Sequence, residues 1–320
     1  MEFKFEKEKE KKAILVEADK KRQQLYTVSV AVILALVLLF SALLYKRFAL
    51  IKKQKEIIES QKQTVEEKQK EITDSIHYAK RIQSALLAHA ELLKKNLPDH
   101  FVLFKPKDIV SGDFYWATST SSAGNGKFYL AVCDSTGHGV PGAFMSLLNI
   151  SFLNEAINEK SIMLPNEVLN HVRKRLIENI SQEGAQDGMD GVLIKFENPS
   201  KKIIFSAANN APVLIRNNQL VELSCDKMPV GKSTRVSDFN EYSYDLISGD
   251  MLYVYTDGYA DQFGGPKGKK FKYNQLHQLL VSIANVPVAE QKNLLENKFN
   301  EWKGQLEQVD DVCIIGIKIS

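Results

Sequence analysis

Four acidic sites share one feature: each stands where an apolar, strand-like run begins or ends, beside glycine, serine or a second aspartate. They are Asp113, Asp134, Asp257 and the adjacent pair Asp310 and Asp311. In an antiparallel sheet the end of one strand adjoins the start of its neighbour, so such carboxylates can gather at one edge. Crowded carboxylates raise one another's pKa, and hard cations such as Mg²⁺ or Mn²⁺ relieve the repulsion. The pattern is therefore compatible with a two-metal hydrolase, although each site taken singly also fits a plain turn.

The elements that must position these residues lie after Pro98. Short apolar runs there predict strands at 101–104, 114–118, 127–133, 191–196, 203–208, 213–215, 220–223, 251–256 and 312–319. Helical patterns lie at 141–158, 165–181, 274–284 and 287–303. Many strands with a few long helices predict an α+β domain over residues 98–320, in which packed sheets carry helices on the outside.

The N-terminal part of the chain has a different character. After a short charged segment, 1–24, residues 25–45 carry no charge, and as a helix they would span a bilayer core of about 30 Å. Basic residues follow this segment in greater number than they precede it, which favours a cytoplasmic C-terminal side. The sequence thus predicts a single-pass plasma (inner) membrane protein with its larger domain in the cytoplasm.

Residues 46–97 predict a signalling helix. From Ile51 to Leu93 an apolar residue recurs every seven positions, and neither Pro nor Gly interrupts the run before Pro98. Such a repeat is typical of a coiled coil, so we expect a parallel homodimer. The alternative is a single charged helix held by local ion pairs.

Composition sets broad limits. The net charge of +3 gives no overall basic character that would point to nucleic acid. Cys133, Cys225 and Cys313 form no close pair, so we expect free thiols and no disulfide or cysteine zinc site.

Taken together, six strings resemble the catalytic domain of the SpoIIE-like branch of the PPM (metal-dependent, 2C-type) serine/threonine protein phosphatases. They are VSGDFYW (110–116), AVCDSTGHGVPGAFMS (131–146), SAANNAPVLI (206–215), MPVG (228–231), GDMLYVYTDGYAD (249–261) and QVDDVCIIGI (308–317). The resemblance implies an α-β-β-α sandwich with two Mn²⁺ or Mg²⁺ ions at one end of the sheets. It also implies that a metal-bridging water attacks phosphorus directly.

Carried over residue by residue, the resemblance makes Asp113, Asp134, Asp257 and one of the Asp310/Asp311 pair metal ligands. The order of the two aspartates favours Asp310. The backbone carbonyl of Ser135, the residue after Asp134, is implied as a further ligand.

Three further features stay open at this level. His138 could donate a proton to the leaving oxygen or could order its loop; it stands four residues after Asp134, whereas eukaryotic relatives place a histidine two residues after the ligand. Asp187 and Asp190 could touch a weaker third metal or form a turn. The glycine-rich, basic segment 264–270 lacks the context of a nucleotide loop and is predicted to be a surface flap that meets substrate.

The resulting hypothesis is a membrane-anchored phosphatase acting on phosphoserine or phosphothreonine of a cytoplasmic regulatory protein in signal transduction. By resemblance, the partner would be a STAS-type anti-sigma antagonist. Two alternatives remain: a catalytically inactive phosphatase-like binding module, and a hydrolase of small phosphate esters.

Overall fold

The computed structural model describes residues 2–120, 127–180, 187–197, 201–235 and 237–320. The chain divides into two compact units, Met1–Ile72 and Thr73–Ser320.

The first unit is the larger part of one long helix, α1, which spans Glu2–Leu86. Its apolar side chains are exposed in the single chain, including the heptad residues Ile51, Ile58 and Val65. By length and composition α1 is able to cross a membrane. A second segment that passes the same test, Gly139–Glu159, is half buried inside the folded domain.

The second unit contains the end of α1 and the elements that follow it. The other helices are α2 (Ala90–Asn96), α3 (Gly139–Asn154), α4 (Pro165–Asn179), α5 (Gly258–Asp261), α6 (Tyr273–Ile283) and α7 (Val288–Lys303). A short π-helical segment, Glu155–Glu159, continues α3. The strands are β1 (His100–Lys105), β2 (Asp113–Thr120), β3 (Lys127–Ser135), β4 (Gly188–Glu197), β5 (Lys202–Ala208), β6 (Val213–Arg216), β7 (Gln219–Glu222), β8 (Val230–Gly231), β9 (Tyr242–Asp245), β10 (Met251–Tyr255), β11 (Phe263–Gly264), β12 (Lys269–Lys270) and β13 (Val312–Lys318).

These strands form two antiparallel sheets and a small hairpin. The first sheet has the order β1-β13-β10-β6-β7, and the second has the order β2-β3-β4-β5-β9, with β8 paired to β4. The hairpin β11-β12 lies in the segment predicted to be a flap. Strand β13 is the last in the chain but lies inside its sheet, between β1 and β10.

Three apolar clusters hold these layers together. One contains side chains from inner faces of both sheets, among them Leu130, Ile194 and Ile315. A second packs β2 and β3 against α3 and α4, and a third packs the other sheet against α6 and α7. The order helices, sheet, sheet, helices agrees with the α+β architecture predicted from the sequence. Because all three clusters are buried, they supply the apolar burial that stabilises the domain.

The helix predicted to run unbroken to residue 97 ends earlier. Leu87 and Ala88 are buried against the domain, and the Ala88 N–H donates to the Tyr115 carbonyl at 3.2 Å instead of continuing the helix. The chain therefore breaks between Leu86 and Ala90, a break that no proline or glycine marks in the sequence.

Candidate functional site

One face of the site is a row of polar side chains across neighbouring strands. Asp113 on β2 lies directly opposite Asp134 on β3, and Asp134 lies directly opposite Asp190 on β4. Asn209, which follows β5, extends the row by donating from Nδ2 to Asp190 Oδ1 at 2.9 Å. Because directly opposite residues in an antiparallel pair share a face, the three carboxylates are neighbours on one surface.

The other sheet brings two more carboxylates to the same place. Asp257 follows β10, and Asp310 precedes β13, the antiparallel neighbour of β10. Both lie close enough to Asp134 to raise its pKa. The predicted residues Asp113, Asp134, Asp257 and Asp310 thus come together at one end of the two sheets.

Burial and mutual repulsion disfavour the ionised forms of these groups. Burial, followed by the charge of Asp134, raises the pKa of Asp113 well above its ordinary value. Burial, followed by the charges of Asp257 and Asp310, raises the pKa of Asp134 to about 8. Burial and Asp310 raise the pKa of Asp257 to about 6. A cation bound among these carboxylates would favour their ionised forms.

The donor set suits a hard divalent cation, because it consists of carboxylate oxygens with the Ser135 carbonyl beside them. Within the described ranges, however, no three His, Cys, Asp or Glu side chains are already placed to hold a metal ion. The chemistry of the donors and their shared environment fit a cation. The present side-chain geometry is a carboxylate cluster and not a formed coordination sphere.

The two adjacent aspartates before β13 have different surroundings. Asp311 is only 2% exposed, and its two oxygens accept from the backbone N–H groups of Lys107 and Gly112, both at 2.7 Å. Asp310 lines the cavity beside Asp134, and its Oδ1 accepts from its neighbour's N–H at 2.8 Å. The geometry thus leaves Asp310 facing the cluster and engages Asp311 with the backbone.

A cavity of about 360 Å³ opens over the cluster. Its lining residues come from the end of β3 and the loop after it, the start of β4, and the segments that follow β5, precede β8 and precede β13: Asp134, Ser135, Thr136, Gly137, His138, Gly188, Met189, Asp190, Asn209, Pro229 and Asp310. Close backbone packing fixes the loop, since a Cβ on Gly112 would lie 2.2 Å from the Gly137 carbonyl oxygen. Only glycine permits that approach.

His138 lies at the edge of this cavity with both ring nitrogens in contact with charged side chains. Nδ1 is 3.1 Å from Asp108 Oδ2, and Nε2 is 3.2 Å from Lys107 Nζ. The ring is about half exposed. Of its two predicted roles, the contacts agree with the ordering of a loop.

Two buried residues that the sequence analysis did not identify form hydrogen bonds to Asp113 or to the segment just before it. Thr256, 1% exposed, donates to Asp113 Oδ2 at 2.6 Å and accepts from the Cys313 N–H at 2.9 Å, and so joins the two sheets. Gln83, near the end of α1, donates to the Ser111 carbonyl and to Ser146 Oγ, and its Oε1 accepts from the Ser111 N–H. A residue just after an apolar strand and a residue of the linker helix carry no sequence signal for such roles.

The remaining candidates lie around this centre. Asp190 belongs to the carboxylate row, whereas Asp187 precedes β4 and does not line the cavity. The segment predicted to be a flap forms the β11-β12 hairpin, and Lys270 pairs with Asp261, just after Asp257, at 2.8 Å.

Comparison with known proteins identifies the fold and the family. The sequence model for stage II sporulation protein E (SpoIIE) matches residues 124–320, a range that begins after Asp113. The chain matches none of the curated proteins with which it was compared.

Among solved structures, the SiaA PP2C domain of Pseudomonas aeruginosa is 29% identical, with a TM-score of 0.71; the match covers 79% of this chain and 98% of that one. The PP2C domain of Bacillus subtilis SpoIIE, solved with a regulatory fragment, is 19% identical (TM-score 0.56), covering 69% of this chain and 63% of that one. The RsbU and RsbW domains of a Mycobacterium tuberculosis protein are 20% identical (TM-score 0.55), with 69% and 59% covered.

The last two comparisons show the fold alone, and this chain spans less than two thirds of each of those chains. The family match covers more than half of this chain, and it agrees with the resemblance found in the motifs. The chain belongs to the SpoIIE family and carries a PP2C-type phosphatase domain.

Proposed function

We propose that this domain hydrolyses phosphoserine or phosphothreonine on a cytoplasmic regulatory protein and uses two Mn²⁺ or Mg²⁺ ions. The observation that carries the proposal is the meeting of Asp113, Asp134, Asp257 and Asp310, drawn from two different sheets, beside a cavity that Asp134 and Asp310 line. Burial raises the pKa of these carboxyl groups, and a divalent cation is the partner that would stabilise their ionised forms.

In this proposal the four carboxylates and the Ser135 carbonyl would hold the cations. Cations bound there would lower the pKa of a water molecule and neutralise phosphoryl oxygens. Thr256 orients Asp113 through its 2.6 Å hydrogen bond, and Asp311 holds the Gly112 backbone beside the cluster. Asp310 rather than Asp311 is the proposed ligand, since both oxygens of Asp311 already accept from backbone N–H groups.

The N-terminal helix is proposed as the anchor of the protein in the plasma (inner) membrane, with the phosphatase domain in the cytoplasm. The exposed heptad residues of α1 support pairing with a second copy, because apolar positions every seven residues bury one another in a coiled coil. The partner protein is proposed to be a STAS-type regulator. The support for this is the resemblance of the six motif strings to the SpoIIE-like phosphatases.

The test is hydrolysis of p-nitrophenyl phosphate and of a phosphoserine protein by the full chain in detergent, with and without Mn²⁺. We expect Mn²⁺-dependent turnover, and we expect Asp134→Asn to lose at least about a hundredfold in rate, because it removes a carboxylate from the centre of the cluster. The matched control is Asp245→Asn, an exposed aspartate at the end of β9. If the folded wild-type protein turned over neither substrate, the domain would instead be a binding module.

A further inference from the structure

Lys107 presents an ammonium group at the edge of the carboxylate cluster. Its backbone is fixed there, because its N–H donates to Asp311 Oδ1 at 2.7 Å. Its side chain is partly buried, and its charge lies near enough to Asp310 to oppose the effect of burial on the pKa of that carboxyl. The sequence analysis did not single out this lysine.

The only hydrogen bond of this ammonium among the described residues is with the His138 ring, and no carboxylate there pairs with it. An ammonium group has only protons to donate, so His138 Nε2 must accept from Lys107. The other nitrogen, Nδ1, then carries the proton and donates to Asp108 Oδ2. Asp108, His138 and Lys107 thus form a chain of hydrogen bonds that ends in an unpaired positive charge.

The backbone of the loop after β3 leaves room for this chain of hydrogen bonds. Gly139 has a φ of +62°, and a Cβ at that position would lie 3.0 Å from Asp108 Oδ2. A side chain there would be strained and would also press on the carboxylate that fixes the histidine. The backbone therefore allows Asp108 to reach across to the loop after β3.

A phosphate monoester that enters the cavity carries negative charge towards a group of aspartates. A cation placed at the edge, with no carboxylate of its own, would attract that ester and form charge-assisted hydrogen bonds with its oxygens. Because Lys107 donates its hydrogen bond to a neutral ring, it can donate instead to a phosphoryl oxygen without breaking an ion pair.

We propose that Lys107 contacts the phosphoryl group of the substrate, and that His138 and Asp108 are positioning residues that hold the lysine towards the cluster. This proposal rests on the proposed function. It gives His138 a role other than proton donation, because both of its ring nitrogens are engaged.

The test compares Lys107→Met and Lys107→Arg with Lys298→Met, a matched control on the exposed face of α7 whose lysine pairs with Glu301. Binding of inorganic phosphate to the Mn²⁺-loaded full chain is measured by calorimetry, and KM and kcat for p-nitrophenyl phosphate are measured separately. We expect Lys107→Met to weaken phosphate binding roughly 10- to 100-fold and to raise KM, with partial recovery in the arginine variant. Lys298→Met should match wild type.

The positioning role of His138 is tested by combining its substitution with that of Lys107. His138→Ala should weaken phosphate binding in the wild-type background and have little further effect beside Lys107→Met, because both changes remove the same contact. Unchanged phosphate binding in a folded Lys107→Met protein would overturn the proposal, as would an equal effect of His138→Ala in both backgrounds. Phosphate binding is measured without turnover, so an inactive wild-type protein that binds phosphate through Lys107 would refute the proposed function alone.

Discussion

Replacement of Thr256 by valine tests how the two sheets jointly hold the cluster. The change keeps the shape of the side chain but removes the hydroxyl that donates to Asp113 and accepts from the Cys313 N–H. A buried N–H left without a partner costs about 1–3 kcal/mol, and loss of the hydrogen bond to Asp113 costs about 1 kcal/mol more. We therefore expect the metal-free domain to lose about 3 kcal/mol of unfolding free energy.

For a domain of this size, that loss corresponds to a fall in Tm of roughly 9 °C. The hydroxyl stabilises an ionised Asp113 more strongly than a protonated one, by about 1.4 kcal/mol, so Mn²⁺ affinity should fall about tenfold. The fall in Tm and the fall in Mn²⁺ affinity are both measured by thermal unfolding with and without Mn²⁺. The matched control is Thr118→Val on β2, whose hydroxyl bonds Asn158 at the surface. A Tm within about 2 °C of wild type, with unchanged Mn²⁺ dependence, would refute the reasoning.

Three further predictions follow from single contacts. Gly258→Ala should abolish most phosphatase activity, because its Cβ would lie 1.9 Å from the Asp311 carbonyl oxygen, measured as the rate on p-nitrophenyl phosphate. The metal-free domain should lose stability as pH rises from about 4 to about 8, because Asp134 binds its proton more tightly in the folded state; Tm measured against pH reports this. Gln83→Leu should lower the unfolding free energy by about 3 kcal/mol, since it leaves the buried Ser111 backbone groups unpaired, measured by urea unfolding.

Each of these predictions has its own control. Gly268→Ala places a Cβ in open space and should cost only about 1 kcal/mol of stability for its positive φ. Equal losses of phosphatase activity in the Gly258 and Gly268 variants would contradict the steric argument. Asp134→Asn should flatten the pH dependence, and an unchanged slope would show that another group titrates. Gln63→Leu makes the same change on the exposed surface of α1, and similar destabilisation by both variants would contradict the role given to Gln83.

The sequence predicted the strands that carry the cluster because their patterns are strong. The runs that became β3, β10 and β13 are almost wholly apolar, as expected for strands buried on both faces, and each is bounded by an aspartate. Antiparallel pairing predicts that Asp113 and Asp134 meet at one sheet edge, and the fold places them directly opposite each other. The SpoIIE-like motifs identified the family for the same region.

What the sequence did not predict depends on contacts between distant elements. Asp310 and Asp311 are adjacent and alike, and only the fold shows that one faces the cavity while the other accepts from the Gly112 N–H. Thr256 has the pattern of an ordinary strand residue until the second sheet is packed against it. The break at Leu87 arises from burial against the domain, a tertiary effect that local helix propensity does not record.

The central place of β13 also bears on biosynthesis. This strand pairs with both β1 and β10, and it follows Asp310, so the sheet stays open while the ribosome is still translating the segment before residue 312. A nascent chain at that stage has its early aspartates but neither the closing strand nor the last carboxylate. Pairings of such long sequence separation form late. The carboxylate cluster can therefore be complete only after β13 has inserted between β1 and β10.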